Sequence, residues 1–245
     1  MASVVVAPDV DALAADTAER MTALIEAAVR EHNAAAVCLT GGSTPEHLYE
    51  LLADPAHPWR ARIAWERLQI YWTDERHVPP DHPDSNYGMA KRTLLDHVPV
   101  PPAQIHRMRG ELADAEDAAR EYAPLLPAAF DVMLVGVGDD AHIASIFPGS
   151  PLFGATAPVA AVWAEHLHGW RITLTPPTIL DTRALVVLVS GAEKQDAVYA
   201  GLEAPDDPHH YPVQLLRQAG DRVGWFVDAA AAARLQRTRE LPFTK

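Results

Sequence analysis

What the chain lacks narrows the field before any motif is read. It holds one cysteine in 245 residues, so no disulfide framework can form within the monomer. Cys38 stands inside the apolar run AAAVCLT, where a small buried hydrophobe is expected rather than a nucleophile or ligand. Long hydrophobic runs are missing too. Nowhere do about 18 uncharged apolar residues follow one another, and the N-terminus MASVVVAPDV has no basic flank of the kind a secretory signal carries. The expectation is a cytoplasmic protein with no membrane partner. Positive charge is scarce: 20 Lys and Arg against 33 Asp and Glu leave a formal net charge of −13, which argues against a nucleic-acid surface. An anionic ligand must then be captured by a few local cations and backbone N–H groups against the average field. Apolar residues at 49% and charged residues at 22% place the chain with ordinary folded proteins rather than disordered ones.

Apolar, β-branched runs alternate with longer Ala-rich stretches whose apolar residues recur at three and four, which is the α/β signature. Strands are expected in the 3–7 region and at 35–40, 68–73, 130–137, 159–164, 171–175, 184–190 and 223–228. Helices are expected at 9–32, 44–53, 85–97, 111–126, 191–203 and 228–237. Several strands are continuously apolar, as strands buried on both faces of a parallel sheet are. The predicted architecture is a doubly wound, mostly parallel sheet with helices on both faces. With no linker, repeat or low-complexity tract, residues 1–245 read as a single domain. In such sheets ligands lie beyond the carboxyl ends of the strands, so the residues that follow each strand carry the functional reading.

Four such stretches stand out. After the second strand comes LTGGSTPEHL, in which the glycine pair lets the backbone approach closely, Ser43 or Thr44 can cap, and Pro45 suits a first helical turn. It is either a capped turn or a phosphate site built on Gly42, Ser43 and Thr44. After the third strand, YWTDERHVPPDHPDSNYGM delivers Asp74, Glu75 and Arg76 in succession, as a solvated loop or as part of a site. SGAEKQDAV puts Lys194 in a first helical turn, where a cation opposes the helix dipole and a bound anion would justify it. The fourth, GVGDDAHIASIFPGSP, imitates the dinucleotide pattern G-x-G-x-x-A, but Asp139 and Asp140 would put negative charge where a pyrophosphate must sit. They read instead as capping and orienting residues of a short helix whose first turn carries His142. Held in one tautomer by a carboxylate, that histidine is a candidate general base, or else a structural histidine.

Taken together, TGGSTP, TDERHVPPDHPDSNYGM, GVGDDAHIASIFPG, RITLT and SGAEK occur in the order and approximate spacing of the 6-phosphogluconolactonase family, which the chain resembles over nearly its whole length. The resemblance implies a NagB/ribose-5-phosphate isomerase-like fold and hydrolysis of 6-phospho-D-glucono-1,5-lactone, the second step of the oxidative pentose phosphate pathway. It implies no cofactor and no metal, and a small-molecule partner bound by a monomer or small homo-oligomer. His142 matches the catalytic histidine, with Asp140 or Asp74 orienting it or the attacking water, while Arg76 and Lys194 match phosphate-binding cations. Asn86 and Arg171 are expected as further substrate contacts, with Arg171 or the N–H groups of the glycine-rich turns as hydrogen-bond donors to the oxyanion. Two positions depart from the family pattern D-G-H-T-A-S: Ala141 replaces its glycine and Ile143 its threonine. The nearest alternative is glucosamine-6-phosphate deaminase/isomerase, which places a glutamate five residues after the histidine; here that residue is Phe147. A non-catalytic sugar-phosphate-binding domain is the second. The effector-binding part of a transcription regulator would need a basic DNA-binding segment, which this chain does not show. Twelve histidines raise a metal site as a third, but the pairs at 166 to 168 and 209 to 210 lack partner ligands.

Overall fold

Residues 2–236 are described by the computed structural model. Their nine strands are β1 (Ser3–Ala7), β2 (Ala35–Leu39), β3 (Leu68–Trp72), β4 (Asp74–Arg76), β5 (Val132–Gly136), β6 (Val159–Ala164), β7 (Gly169–Leu174), β8 (Ala184–Val189) and β9 (Val223–Asp228). Six form a parallel sheet in the order β1-β9-β8-β5-β2-β3. Side chains alternate across it, so each strand feeds two cores. Val37, Ile70, Val132 and Val186 face one core with α1 (Val10–His32), α2 (Ser43–Ala53) and α3 (Pro58–Arg62). Cys38, Tyr71, Met133 and Leu185 face the other, below residues of the later helices. Burial on both sides explains the unbroken apolar runs, each fully buried Leu, Ile or Val contributing roughly 1.5–3 kcal/mol. Cys38 is fully buried with a free thiol whose pKa burial drives up, the behaviour of a core hydrophobe.

The helical expectations hold in outline. α1 starts at Asp9, whose carboxylate accepts the Ala12 N–H at 2.9 Å, and stops at Asn33 in the left-handed region. The stretch at 85–97 is α4 (Asn86–Ala90) continued by a π-turn over Lys91–Leu95. The one at 111–126 shortens to α5 (Ala115–Tyr122) with a 3-10 turn behind it. Short pieces outside the expected helices include α3, α6 (Pro176–Leu180) and the largely 3-10 coil at Pro212–Arg222. At 191–203 a 3-10 turn over Ala192–Lys194 leads into α7 (Gln195–Leu202). The helix expected at 228–237 is not formed: Asp228 ends β9 and 229–236 are turns and irregular chain behind it, while residue 237 lies outside the described residues.

Two differences reposition functional residues. β6 and β7 do not join the parallel sheet; they make an antiparallel hairpin that recruits β4, in the order β4-β7-β6. Asp74, Glu75 and Arg76 are thus a strand rather than a solvated loop. The helix expected around His142 is absent as well. Residues 137–146 form a tight double turn, with bridges from Val137 to Ile143 and from Ile143 to Ile146. Positive φ at Ala141 (66°) and Ala144 (48°) is incompatible with a right-handed helix there.

The strand order reverses between β2 and β5, and their paired residues run only from Val37↔Val132 to Cys38↔Met133. By contrast, β2 stays paired to β3 through Leu39↔Trp72, and β5 to β8 through Gly136↔Leu188. A crevice lies at this switch point, beyond the carboxyl ends of β2 and β5.

Candidate active site

That crevice is a cleft of about 240 Å³. Its walls include Gly42, Ser43, Thr44, Asp74, Arg76, Asn86, His142 and Lys194, so the structure brings together eight of the ten residues singled out from sequence. Asp140 and Arg171 do not line it. Arg171 stands opposite Arg76 in the β4–β7 register, and its guanidinium donates to the Trp170 carbonyl at 3.1 Å. Burial, and then the charge of Arg76, hold its pKa below the usual arginine value.

The β2 end supplies backbone. Gly42, at φ 113°, is itself the N-cap of α2 and carries no side chain to serve the first turn, so the cap expected from Ser43 or Thr44 is not made. The Ser43 and Thr44 N–H groups have no carbonyl within the helix to bond, and both residues line the cleft. Gly41 is glycine for a different reason. A Cβ there would lie 1.8 Å from the Asn86 Oδ1.

β4 supplies charge by alternation. Asp74 and Arg76 point to the cleft, while Glu75 points away and is 2% exposed. Its carboxylate accepts the N–H groups of Arg76, Asn86 and Tyr87 at 2.8, 2.7 and 2.8 Å and the Ser85 hydroxyl at 2.9 Å. Burial pushes the Glu75 pKa up more than these bonds pull it down. Glu75 is thus the fastener that lays Asn86 beside Asp74, whose carbonyl accepts the Asn86 amide at 2.9 Å. Arg76 donates to the Asp84 carbonyl at 2.6 Å. The Asp74 carboxylate accepts the Ser145 hydroxyl at 2.8 Å and the Thr73 hydroxyl at 2.9 Å.

The β5 end supplies His142. Its Nδ1 lies 2.6 Å from Asp140 Oδ1, the same oxygen that accepts the His142 backbone N–H at 3.1 Å. Burial raises the Asp140 pKa, but the bonds and charge of His142 outweigh it, and the carboxyl sits below its ordinary range. An ionised acceptor at Nδ1 places the proton there and leaves the Nε2 lone pair free. Gly138 lies flat against the ring, where a Cβ would come 2.0 Å from Nδ1. The Phe147 ring packs against the imidazole with centroids 4.7 Å apart.

The β8 and β9 ends supply the last wall. Lys194 follows Gly191, which has φ 106°. The Asp228 carboxylate accepts the Ser190 hydroxyl at 2.6 Å and the N–H groups of Gly191 and Ala231 at 3.0 and 2.7 Å. Sequence reasoning passed over Ser145, Gly138 and Asp228. Asp228 alone had a signal, a carboxylate at the end of a buried strand. Among the described residues no three His, Cys, Asp or Glu side chains are grouped to hold a metal ion.

The family model for glucosamine-6-phosphate isomerases/6-phosphogluconolactonase matches residues 8–225. The chain belongs to that family. It is similar to the 6-phosphogluconolactonase of Synechocystis sp., 37% identical over 226 residues that cover 88% of this chain and 91% of that protein. Among solved structures, the 6-phosphogluconolactonase of Trypanosoma brucei superposes with a TM-score of 0.83 at 29% identity, covering 96% of this chain and 99% of that one. A monomeric glucosamine-6-phosphate deaminase also superposes at 0.83 with 22% identity, over 94% of this chain and 99% of its own, a likeness of fold alone. The family thus holds two activities on one scaffold, and side chains in the cleft must separate them.

Proposed function

We propose that this member of the family is a 6-phosphogluconolactonase, hydrolysing 6-phospho-D-glucono-1,5-lactone to 6-phospho-D-gluconate with His142 as general base. The observation that carries this is the 2.6 Å Asp140–His142 bond, on a histidine that shares one cleft with Arg76, Lys194 and the start of α2. A strained ester needs an activated water, a place for the developing oxyanion and a proton for the departing ring oxygen. His142 Nε2 removes a proton from water as it attacks C1, then returns it to the ring oxygen when the tetrahedral intermediate collapses, a role contributing roughly 10²- to 10⁴-fold in rate. Asp140 fixes the tautomer. Asp74, held by Ser145 and Thr73, accepts hydrogen bonds from the water or the sugar hydroxyls.

The phosphate binds between Arg76, Lys194 and the Ser43 and Thr44 N–H groups, each charge-assisted contact contributing about 1.5–3 kcal/mol. Asn86 contacts the sugar, and Arg171 adds positive field beside Arg76. Phe147 bears against the deaminase alternative. That branch needs a carboxylate five residues after the histidine, and here a phenyl ring covers the imidazole. The same proposal treats residues 1–245 as one domain working as a monomer or small homo-oligomer. It places the enzyme in the cytoplasm, where phosphorylated sugars are made and retained.

The deciding assay follows disappearance of freshly generated 6-phosphogluconolactone against its spontaneous rate, with glucosamine 6-phosphate in parallel. Acceleration of the first without ammonia release from the second is expected. The converse result overturns the assignment.

A further inference from the structure

Asp139 and Asp140 are adjacent carboxylates with different commitments. Asp140 holds His142, whereas Asp139 pairs with the Lys194 ammonium. That ion pair crosses from the turn after β5 to the head of α7 after β8, two neighbouring strands of the sheet. Lys194 needs such a partner, because the dipole of α7 disfavours a cation at its start. The Asp139 side chain is 69% exposed, so the pair is of the weak, solvent-screened kind. A phosphate dianion makes a stronger contact with an ammonium than an exposed carboxylate does. Asp139 and a phosphate in this cleft therefore compete for one cation.

Building on the phosphate site assigned above, we propose that Asp139 is a positioning residue for Lys194 which the substrate's phosphate displaces, and whose charge then limits how tightly the phosphorylated product is held. Before binding, it keeps the ammonium at the cleft wall. After the exchange, Asp139 stays near the bound dianion, because its backbone is pinned by the turn that carries His142: the Gly138 N–H donates to the His142 carbonyl at 2.9 Å, and the Ala141 N–H to the Gly138 carbonyl at 3.0 Å. Hydrolysis converts a neutral lactone into a carboxylate, so the product carries one more negative charge than the substrate. A fixed negative residue at the site thus opposes product more than substrate. Adjacent carboxylates accordingly serve opposite ends of the turnover, one the base and the other release.

The test is calorimetric binding of 6-phosphogluconate and of inorganic phosphate to wild type, Asp139→Asn, Asp139→Ser and Lys194→Ala, and to Lys194→Ala combined with Asp139→Asn. Each single Asp139 variant, with a melting temperature like that of wild type, is expected to bind both anions about threefold to tenfold more tightly at low salt, from loss of the competitor for Lys194 and relief of like-charge repulsion. In the Lys194→Ala background the competition for the ammonium is gone and only the repulsion remains, so the same change is expected to give a clearly smaller gain than in the wild-type background. Folded Asp139 variants that bind the anions as wild type does, or more weakly, overturn the proposal, as does a gain that is undiminished without Lys194. A wild type that binds neither anion overturns the phosphate site itself and this inference with it.

Discussion

At the scale of single residues, the cleft turns on how one imidazole is held. Gly138 is required by contact rather than by its own φ, because a Cβ would sit 2.0 Å from His142 Nδ1. Gly138→Ala must therefore swing the ring off Asp140, and turnover is expected to fall by roughly 10²-fold or more, as if the base had been lost. A crystal structure or imidazole NMR shifts of the variant would show the displaced ring; an undisturbed ring with full activity sinks this account. His142→Asn is expected to keep the fold by circular dichroism and lose roughly 10²-fold or more in kcat with binding retained. Asp140→Asn keeps the shape but offers an amide that no longer fixes the tautomer, so kcat is expected to fall by roughly tenfold to 10³-fold. At Ala141 the φ of 66° explains why the family pattern carries glycine there. Alanine tolerates that region at a modest cost, whereas Ala141→Val is expected to destabilise by about 2–4 kcal/mol in urea titration, since a β-branched side chain at positive φ in a buried turn is strained twice.

At the scale of elements, the phosphate end of the cleft is made by strand ends that must be kept in place. Arg76→Ala and Lys194→Ala are each expected to lose at least roughly tenfold in kcat/KM for the phosphorylated lactone while slower hydrolysis of unphosphorylated gluconolactone changes far less. Equal losses on both substrates would assign the residue to the chemistry or the scaffold. Asp228 acts one layer back. By gathering the Ser190 hydroxyl and the Gly191 N–H it sets the turn that launches Lys194. Asp228→Ala is expected to raise KM for the phosphorylated substrate more than it lowers kcat, and to cost about 1–3 kcal/mol of stability for the donors it leaves unpaired. The β4 residues show why elements outrank sequence proximity: three charges in succession were read as one cluster, yet alternation sends Asp74 and Arg76 to the cleft and Glu75 into a buried fastening.

At the scale of the whole molecule, a chain with net charge −13 concentrates its useful cations at one sheet edge. Because the mechanism uses a base and positioned dipoles, prolonged EDTA treatment is expected to leave activity within error; activity lost to the chelator and restored by Zn²⁺ or Mg²⁺ would contradict it. The parallel sheet was legible because strands buried on both faces must be apolar throughout, and the residues after those strands then had to share one edge. For that reason Gly42, Ser43, Thr44, Arg76, His142 and Lys194 could be named as site candidates from sequence alone. The turn around His142, the second sheet and the partners of Asp74 were not legible. Positive φ at Ala141 and Ala144 overrides a sequence that looks helical, and a three-residue charged strand has no periodicity to read until β7 pairs with it. Sequence alone thus determined the layer architecture and the inventory of chemical groups, since burial and the alternation of strands and helices along the chain follow from hydrophobic pattern. Tertiary structure decided which carboxylate serves which partner, Asp140 for His142, Asp139 for Lys194, Glu75 for α4 and Asp228 for the turn before α7, because hydrogen-bond geometry is settled only when distant segments meet.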